Sequence, residues 1–328
     1  MVKNNIPRNI GIPILILFLG TMLLSCQSNQ NKQQNNSGKL QGTLSISGAF
    51  ALYPMTVKWA EEFKKINPDV RIDISAGGAG KGMADALSGM IDLGMFSRGV
   101  TQAELDKGAW FIAVAKDAVL PTMNPSNPYA DQLLKVGLTK QAFSDIYITQ
   151  TTKQWNQCQG LTGSNAKINV YTRSDACGAA EMWGLFLGKN QESLNGIGVF
   201  GDPGIADAVK NDVNGIGFNN VIYAYDISSR KVYPGISIIP IDMNANGVID
   251  PEEDFYHSLD EIMNAIATGA YPSPPARDLY LIAKGQPTNP LSIAFITWIL
   301  TEGQQYVGSA GYVQLSPEKI ASELQKLQ

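Results

Sequence analysis

Residues 242–253, DMNANGVIDPEE, set oxygen donors at alternating positions around a glycine. Asp242, Asn244 and Asn246 come first, and Gly247 permits a sharp turn. Val248 then offers its carbonyl, Asp250 binds directly or through water, and Glu253 can bind with both oxygens. The order matches the calcium loop D-x-[DN]-x-[DN]-G-x5-E throughout. A hard cation of that size takes roughly six to eight oxygens from a flexible backbone. The strand-like run ISIIPI precedes the loop where a full hand would have a helix. The expectation is therefore a fixed, structural calcium ion and not a sensor; a polar Asn/Asp/Gly turn without metal is the bland alternative.

Three other stretches share a different design, a strand, a glycine-rich turn and a helix start. They are SGAFALYP (47–54), SAGGAGKGM (75–83) and TRSDACGAAEM (172–182). Free N–H groups at a helix start, with the helix dipole behind them, favour a bound anion. Glycine before a helix is common, so three such loops in one chain carry more weight than any one. The third loop adds the charge of Arg173, with Asp175 two residues on; an exposed ion pair between them is the structural alternative. Two nucleotide motifs fail on spacing. A P-loop would need glycine five residues before Gly80 and a hydroxyl after Lys81, where Ser75 and Gly82 stand, and a dinucleotide fingerprint counted from Gly78 meets Met83.

Catalytic constellations are scarce. The chain has one histidine, His257, and no G-x-S-x-G elbow. No pair of acids is singled out by spacing, so the expectation is a binding protein and not an enzyme. A carboxylate-based secreted hydrolase and a calcium-stiffened surface protein are the other classes considered. The formal net charge is −4, and no basic tract exceeds the pair Lys64-Lys65. Nucleic acid is therefore not the expected partner.

The elements that must position these loops alternate along the chain. Strand-like runs at 43–47, 70–75, 91–96, 110–115, 118–123 and 168–172 alternate with amphipathic helices. That pattern predicts an α/β fold with mainly parallel sheets. The 328 residues, less a leader, suffice for two lobes, since single cores stop growing near about 250–300 residues.

Lys3 and Arg8 precede an apolar run over residues 10–24 that ends in Leu-Leu-Ser-Cys. A positive start and a short apolar core broken by Gly11, Pro13 and Gly20 describe an export signal, not a membrane span. The ending resembles the lipobox of bacterial lipoproteins, in which the cysteine, here Cys26, is acylated. Residues 1–25 are thus read as signal and 26–40 as a polar tether, leaving the chain extracytoplasmic and lipid-anchored to a bacterial membrane. Cys158 and Cys177 then remain as a pair in an exported chain, which predicts a disulfide worth about 3 kcal/mol. Two free buried thiols are the alternative.

A wider resemblance runs from about residue 41 to the C-terminus. Its landmarks are LSISGAFALYP, SAGGAGKGMADALSGMIDLGMFSR, AVAKDAVLPTMNPSNP, LTKQAFSDIY, YTRSDACGAAEMW, GIGFNNVIYAYD and LYLIAKGQP. In this order they resemble the phosphate-binding solute receptors that feed ABC importers. The resemblance implies a two-lobed periplasmic-binding-protein type II-like fold with a hinge. Lobe I would comprise residues 41–116 and 223–328, including the calcium-type loop, and lobe II residues 117–222. It also implies a small oxyanion ligand, phosphate by default, and importer membrane subunits as partners. In that family hydroxyls, helix-start N–H groups and an arginine grip the ligand. The positions that correspond here are Ala49, Phe50, Ala79, Gly80, Ser97, Arg98, Arg173, Asp175, Cys177, Gly178 and Ala179. Most of the expected hydroxyls are gone, replaced by Ala49, Phe50, Ala51, Ala79, Phe96, Cys177 and Ala179. Either backbone N–H groups with Arg173, Arg98 and Ser97 hold phosphate, or the guest is larger or less charged.

Overall fold

The computed structural model describes residues 39–328. The expected signal sequence, the lipidation residue Cys26 and most of the tether lie outside the described residues. Among the described residues no helix is long and apolar enough to cross a membrane.

The chain opens with β1 (Gly42–Gly48), α1 (Tyr53–Ile66), β2 (Val70–Ala76), α2 (Ala79–Ser88), β3 (Leu93–Phe96) and α3 (Gln102–Asp106). In α1, Pro54 sits in the first turn, where its missing N–H costs nothing. Met55, Trp59, Ala60 and Phe63 fall on its buried face at helical spacing, and Lys64 and Lys65 in the last turn complement the dipole. β4 (Ala109–Met123) follows as one strand of 15 residues. The two runs expected at 110–115 and 118–123 are thus continuous through Lys116 and Asp117. A charge pair in mid-strand reads as a break in sequence, but Asp117 has a buried partner on the neighbouring strand.

Next come α4 (Ala130–Val136), β5 (Leu138–Thr139), α5 (Lys140–Tyr147), β6 (Asn169–Arg173), α6 (Gly178–Phe186), β7 (Ile197–Val199) and α7 (Gly201–Lys210). Then follow β8 (Gly215–Asn220), α8 (Val221–Ala224), β9 (Ser237–Ile238), β10 (Ile241–Asp242) and α9 (Leu259–Thr268). β11 (Ala276–Lys284), α10 (Pro290–Leu300) and α11 (Pro317–Gln325) close the chain.

The main sheet runs β2-β1-β3-β11-β4-β8-β6-β7, with β9 also on β4. Its outer parts are parallel, β1 with β2 and β3, and β6 with β7 and β8. The two central strands, β4 and β11, run antiparallel to each other and to their neighbours.

Two hydrophobic cores divide the fold. One gathers Ile46, Trp59, Phe63, Leu93, Val114, Leu281 and Phe295. The other gathers Leu120, Phe143, Tyr147, Trp183, Phe218, Tyr256 and Tyr271. In the second, Trp183 meets the rings of Phe143, Tyr147, Phe186 and Phe218 at centroid distances of 5.1, 5.8, 5.3 and 6.0 Å. Each buried aromatic of this kind contributes about 1.5–3 kcal/mol.

Along β4, Ala115 belongs to the first core and Ala118 to the second; along β11, Ala276 belongs to the second and Leu279 to the first. The chain therefore crosses between lobes at residues 116–117 and returns at 277–278. This corrects the expected boundary, which sent residues 223–276 to lobe I. The cause is pairing that the sequence does not announce. β9 pairs with residues 122–123 of β4, β10 pairs in parallel with β5, and the Tyr271 hydroxyl donates to the Val119 carbonyl at 2.6 Å. Lobe II is thus residues 118–276, and the calcium-type loop belongs to it.

Candidate functional site at the lobe junction

The glycine turns meet one another. Gly77 and Gly78 donate their N–H groups to the Gly48 carbonyl at 2.9 and 3.1 Å, and Ala49 donates to the Met95 carbonyl at 2.9 Å. From the first lobe, Gly80 donates to the Ala176 carbonyl of the second at 3.0 Å. A Cβ on Gly178 would stand 2.2 Å from both the Ser97 carbonyl oxygen and its Oγ, so only glycine allows this approach. The Phe50 ring lies over the Arg173 guanidinium at 5.6 Å and meets Phe200 edge-on at 5.8 Å. It also covers Gly201, whose added Cβ would meet the ring at 3.1 Å. Residues 47–54, 75–83 and 172–182 therefore share one junction. Ala49, Ala79 and Ala179, which belong to these turns, are buried.

Arg173 has no exposed side-chain surface. Its Nε and Nη2 donate to Asp175 at 2.8 and 2.7 Å, and its Nη1 donates to Asp202 at 2.6 Å. Burial works against its charge, but Asp202 and Asp175 outweigh burial and hold the guanidinium firmly protonated. The exposed ion pair weighed from sequence is in fact a buried one with a second carboxylate. Gly201 donates its N–H to Asp175 Oδ1 at 3.1 Å, so Asp175 also ties the start of α7 to this turn.

The polar chain continues inward. Asp202 Oδ1 accepts from the Asn220 N–H and side-chain amide at 3.2 and 2.7 Å. Asn220 Oδ1 in turn accepts from Arg277 Nη2. The same nitrogen lies 3.4 Å from Asp117 Oδ2. Arg277 Nε and Nη1, and Asp117 Oδ1, are buried with no hydrogen-bond partner. Burial pushes the Asp117 carboxyl up to about 6, against the pull of Arg277, and also lowers the basicity of Arg277. Beside these strands opens a cleft of ≈ 540 Å³, with Gly99 and Tyr280 from lobe I, Met182 and Thr268 from lobe II, and Lys116 and Arg277 between them.

Several expectations are revised here. Arg98 is committed to Glu104 by two bonds of 2.7 and 3.1 Å and stacks on Phe96 at 4.6 Å, so it braces α3 and not the junction. The expected disulfide is absent: Cys158 and Cys177 are free and buried. Cys177 instead caps α6, its Sγ accepting the Ala180 N–H at 3.3 Å. The thiol thus fills the capping role a hydroxyl usually has. Burial pushes both thiols up to about 12.

In the calcium-type loop the carboxylates face main-chain N–H groups. Asp242 accepts from Gly247 at 2.9 Å and Asn246 at 3.3 Å. Glu253 accepts from Met243 and Asn244 at 2.8 and 3.2 Å. The amides of Asn244 and Asn246 donate to Asp250 Oδ2 at 2.8 and 2.9 Å, and Asn246 Oδ1 accepts from Val248. Among the described residues no three His, Cys, Asp or Glu side chains gather into a cluster that could hold a metal ion in this arrangement of the loop.

Asp117, Asp202, Asn220 and Arg277 were not singled out from sequence. A signal existed, since AVAKDAVLP and PPARDLYLIA each hold charges inside an apolar strand run, and a buried charge needs a buried partner.

Two lobes joined by paired strands, with turns converging between them, define a two-lobed binding-protein fold. The chain belongs to the PBP superfamily, whose domain matches residues 33–302. It is 28% identical over 314 residues to the phosphate-binding protein PstS of Pseudomonas aeruginosa, covering 88% of each chain. It is 25% identical to the phosphate-binding protein PstS of Methanocaldococcus jannaschii, covering 94% of this chain and 93% of that one. Among solved structures, it resembles a putative phosphate ABC transporter substrate-binding protein from Clostridium perfringens with bound phosphate. The TM-score is 0.68 at 25% identity, covering 84% of this chain and all of the other.

Proposed function

We propose that this chain is a lipid-anchored, extracytoplasmic receptor of an ABC importer, binding an oxyanion, phosphate by default, between its lobes. It presents that ligand to membrane subunits and performs no catalysis. The observation that carries the reading is the convergence of turns from both lobes around a buried arginine–carboxylate network, on a fold similar to a phosphate-bound relative. Calorimetric titration with phosphate tests it: saturable binding of one ion per chain supports it, and no heat with phosphate at millimolar concentration removes it.

A second reading, a larger organic anion between the lobes, is favoured by the ≈ 540 Å³ cleft beside β4 and β11, which Met182, Tyr271, Pro274 and Tyr280 help to line. A cleft of that size falls within the roughly 300–1,000 Å³ of organic-ligand pockets. Titration with small organic acids separates the two readings.

Calcium in the loop 242–253 belongs to the same proposal, as a stiffening ion with no part in ligand binding. Asp242, Asn244, Asn246, Val248, Asp250 and Glu253 supply the donor set, all oxygens, as the cation requires. Binding would require the Asn244 and Asn246 amides to turn their oxygens toward the ion.

A further inference from the structure

Resting on the receptor reading, we propose that Phe50 of lobe I and a notch in lobe II form a latch that holds the lobes together and governs how long the anion is retained. Four residues from three segments of lobe II meet Phe50. The Arg173 guanidinium, at the end of β6, lies 5.6 Å from the centre of the Phe50 ring. Phe200, just before α7, meets that ring edge-on at 5.8 Å with 85° between the planes. Gly201 follows at φ +74°, and a Cβ there would stand 3.1 Å from the ring, so a side chain would crowd the seat. Tyr223 in α8 donates its hydroxyl to the Phe50 carbonyl at 3.2 Å, which steadies the backbone that carries the ring.

Folding alone does not account for these rings. Phe200 keeps 61% of its surface exposed, Phe50 is half-buried, and neither belongs to either hydrophobic core. A large apolar side chain left so exposed adds little to the stability of its own lobe. An edge-on aromatic pair, and a cation over a ring, attract beyond the area they bury. All of these contacts run from one lobe to the other, so hinge opening breaks them together. A contact made only in the closed state slows opening, and with it release of whatever the closed state holds. The ring has a second effect. The Arg173 side chain has no exposed surface, and Phe50 is part of its cover, so opening lets water reach the guanidinium.

The test uses the full chain and its Phe200→Ala and Phe200→Tyr variants. Because Phe200 is exposed, both are expected to melt like the wild type. Stopped-flow release of inorganic phosphate is expected to be about tenfold faster from Phe200→Ala, a difference of about 1.4 kcal/mol. Release from Phe200→Tyr, which keeps the ring, is expected to match the wild type. Spin labels on Met90→Cys in lobe I and Val213→Cys in lobe II, both exposed positions, report the distance between lobes. That distance is expected to lengthen in Phe200→Ala. Where the wild type binds phosphate, the release rate decides. Phe200→Ala releasing at the wild-type rate, or Phe200→Tyr releasing as fast as Phe200→Ala, overturns the latch and leaves the receptor reading intact. A wild type that binds no phosphate removes the receptor reading, and the label distance then judges the latch alone. A longer distance in Phe200→Ala supports it, and an unchanged one overturns it.

Discussion

Arg277 and Asp117 face each other across the two strands that carry the chain between lobes, Nη2 standing 3.4 Å from Oδ2. Both are almost wholly buried, and each keeps atoms without partners. A pair so placed senses both lobes at once, and its protonation is coupled to stability.

The Asp117 carboxyl, raised to about 6 by burial, sits above its ordinary value near 3.8. A raised folded-state value means that the folded protein binds the proton more tightly than the unfolded chain. The associated stability is present below the ordinary value and is lost as pH rises through about 6. The stability of the wild type relative to Asp117→Asn is therefore expected to rise as pH falls from neutrality toward 4, by about 3 kcal/mol in all. Urea unfolding at stepped pH measures it; a difference that stays flat with pH contradicts the burial argument.

Arg173→Met leaves Asp175 and Asp202 buried without their cation. Breaking a buried pair from one side costs about 3–5 kcal/mol. The urea midpoint is expected to drop accordingly, and a loss under about 1 kcal/mol would mean that Arg173 is solvated after all.

Gly178→Ala puts a methyl against the Ser97 carbonyl and hydroxyl. The two lobes can then no longer approach at this point, although each keeps its own core. Phosphate affinity is expected to fall by tenfold or more with little change in the melting temperature, as read by calorimetry and a thermal scan. Unchanged affinity would separate this contact from the ligand site.

Cys158 and Cys177 are expected to resist alkylation in the native protein and to react fully once denatured, without added reductant. Mass spectrometry of the labelled peptides counts them. Thiols that stay unlabelled in denaturant would restore the disulfide.

Chelation of calcium is expected to lower the melting temperature while leaving ligand affinity in place. An unchanged melting curve would mean that the loop is closed by its own hydrogen bonds alone.

The parts of this fold that were legible from sequence are those written in local patterns. The spacing of Met55, Trp59 and Phe63 marks α1, and the glycine turns at 48, 77–80 and 178 mark where backbones come close. What stayed hidden depends on partners far along the chain. Asp117 and Arg277 are 160 positions apart and look like interruptions of their strands until β4 and β11 are laid together. The strand pairs that fasten residues 237–242 to lobe II involve two residues each, too few to leave a periodic trace. Cys177 was read as a disulfide partner because cysteine seldom caps a helix, yet its sulfur is turned toward Ala180. The exposed ion pair weighed for Arg173 and Asp175 is buried because Asp202, the second carboxylate on Arg173, lies 29 residues downstream on a helix.

The most direct test of the central claim is a crystal structure of the protein grown with phosphate. The account predicts one ion at the lobe junction, touching groups from both lobes. An ion held by one lobe alone, or a junction still filled by its own side chains at saturating phosphate, would contradict it.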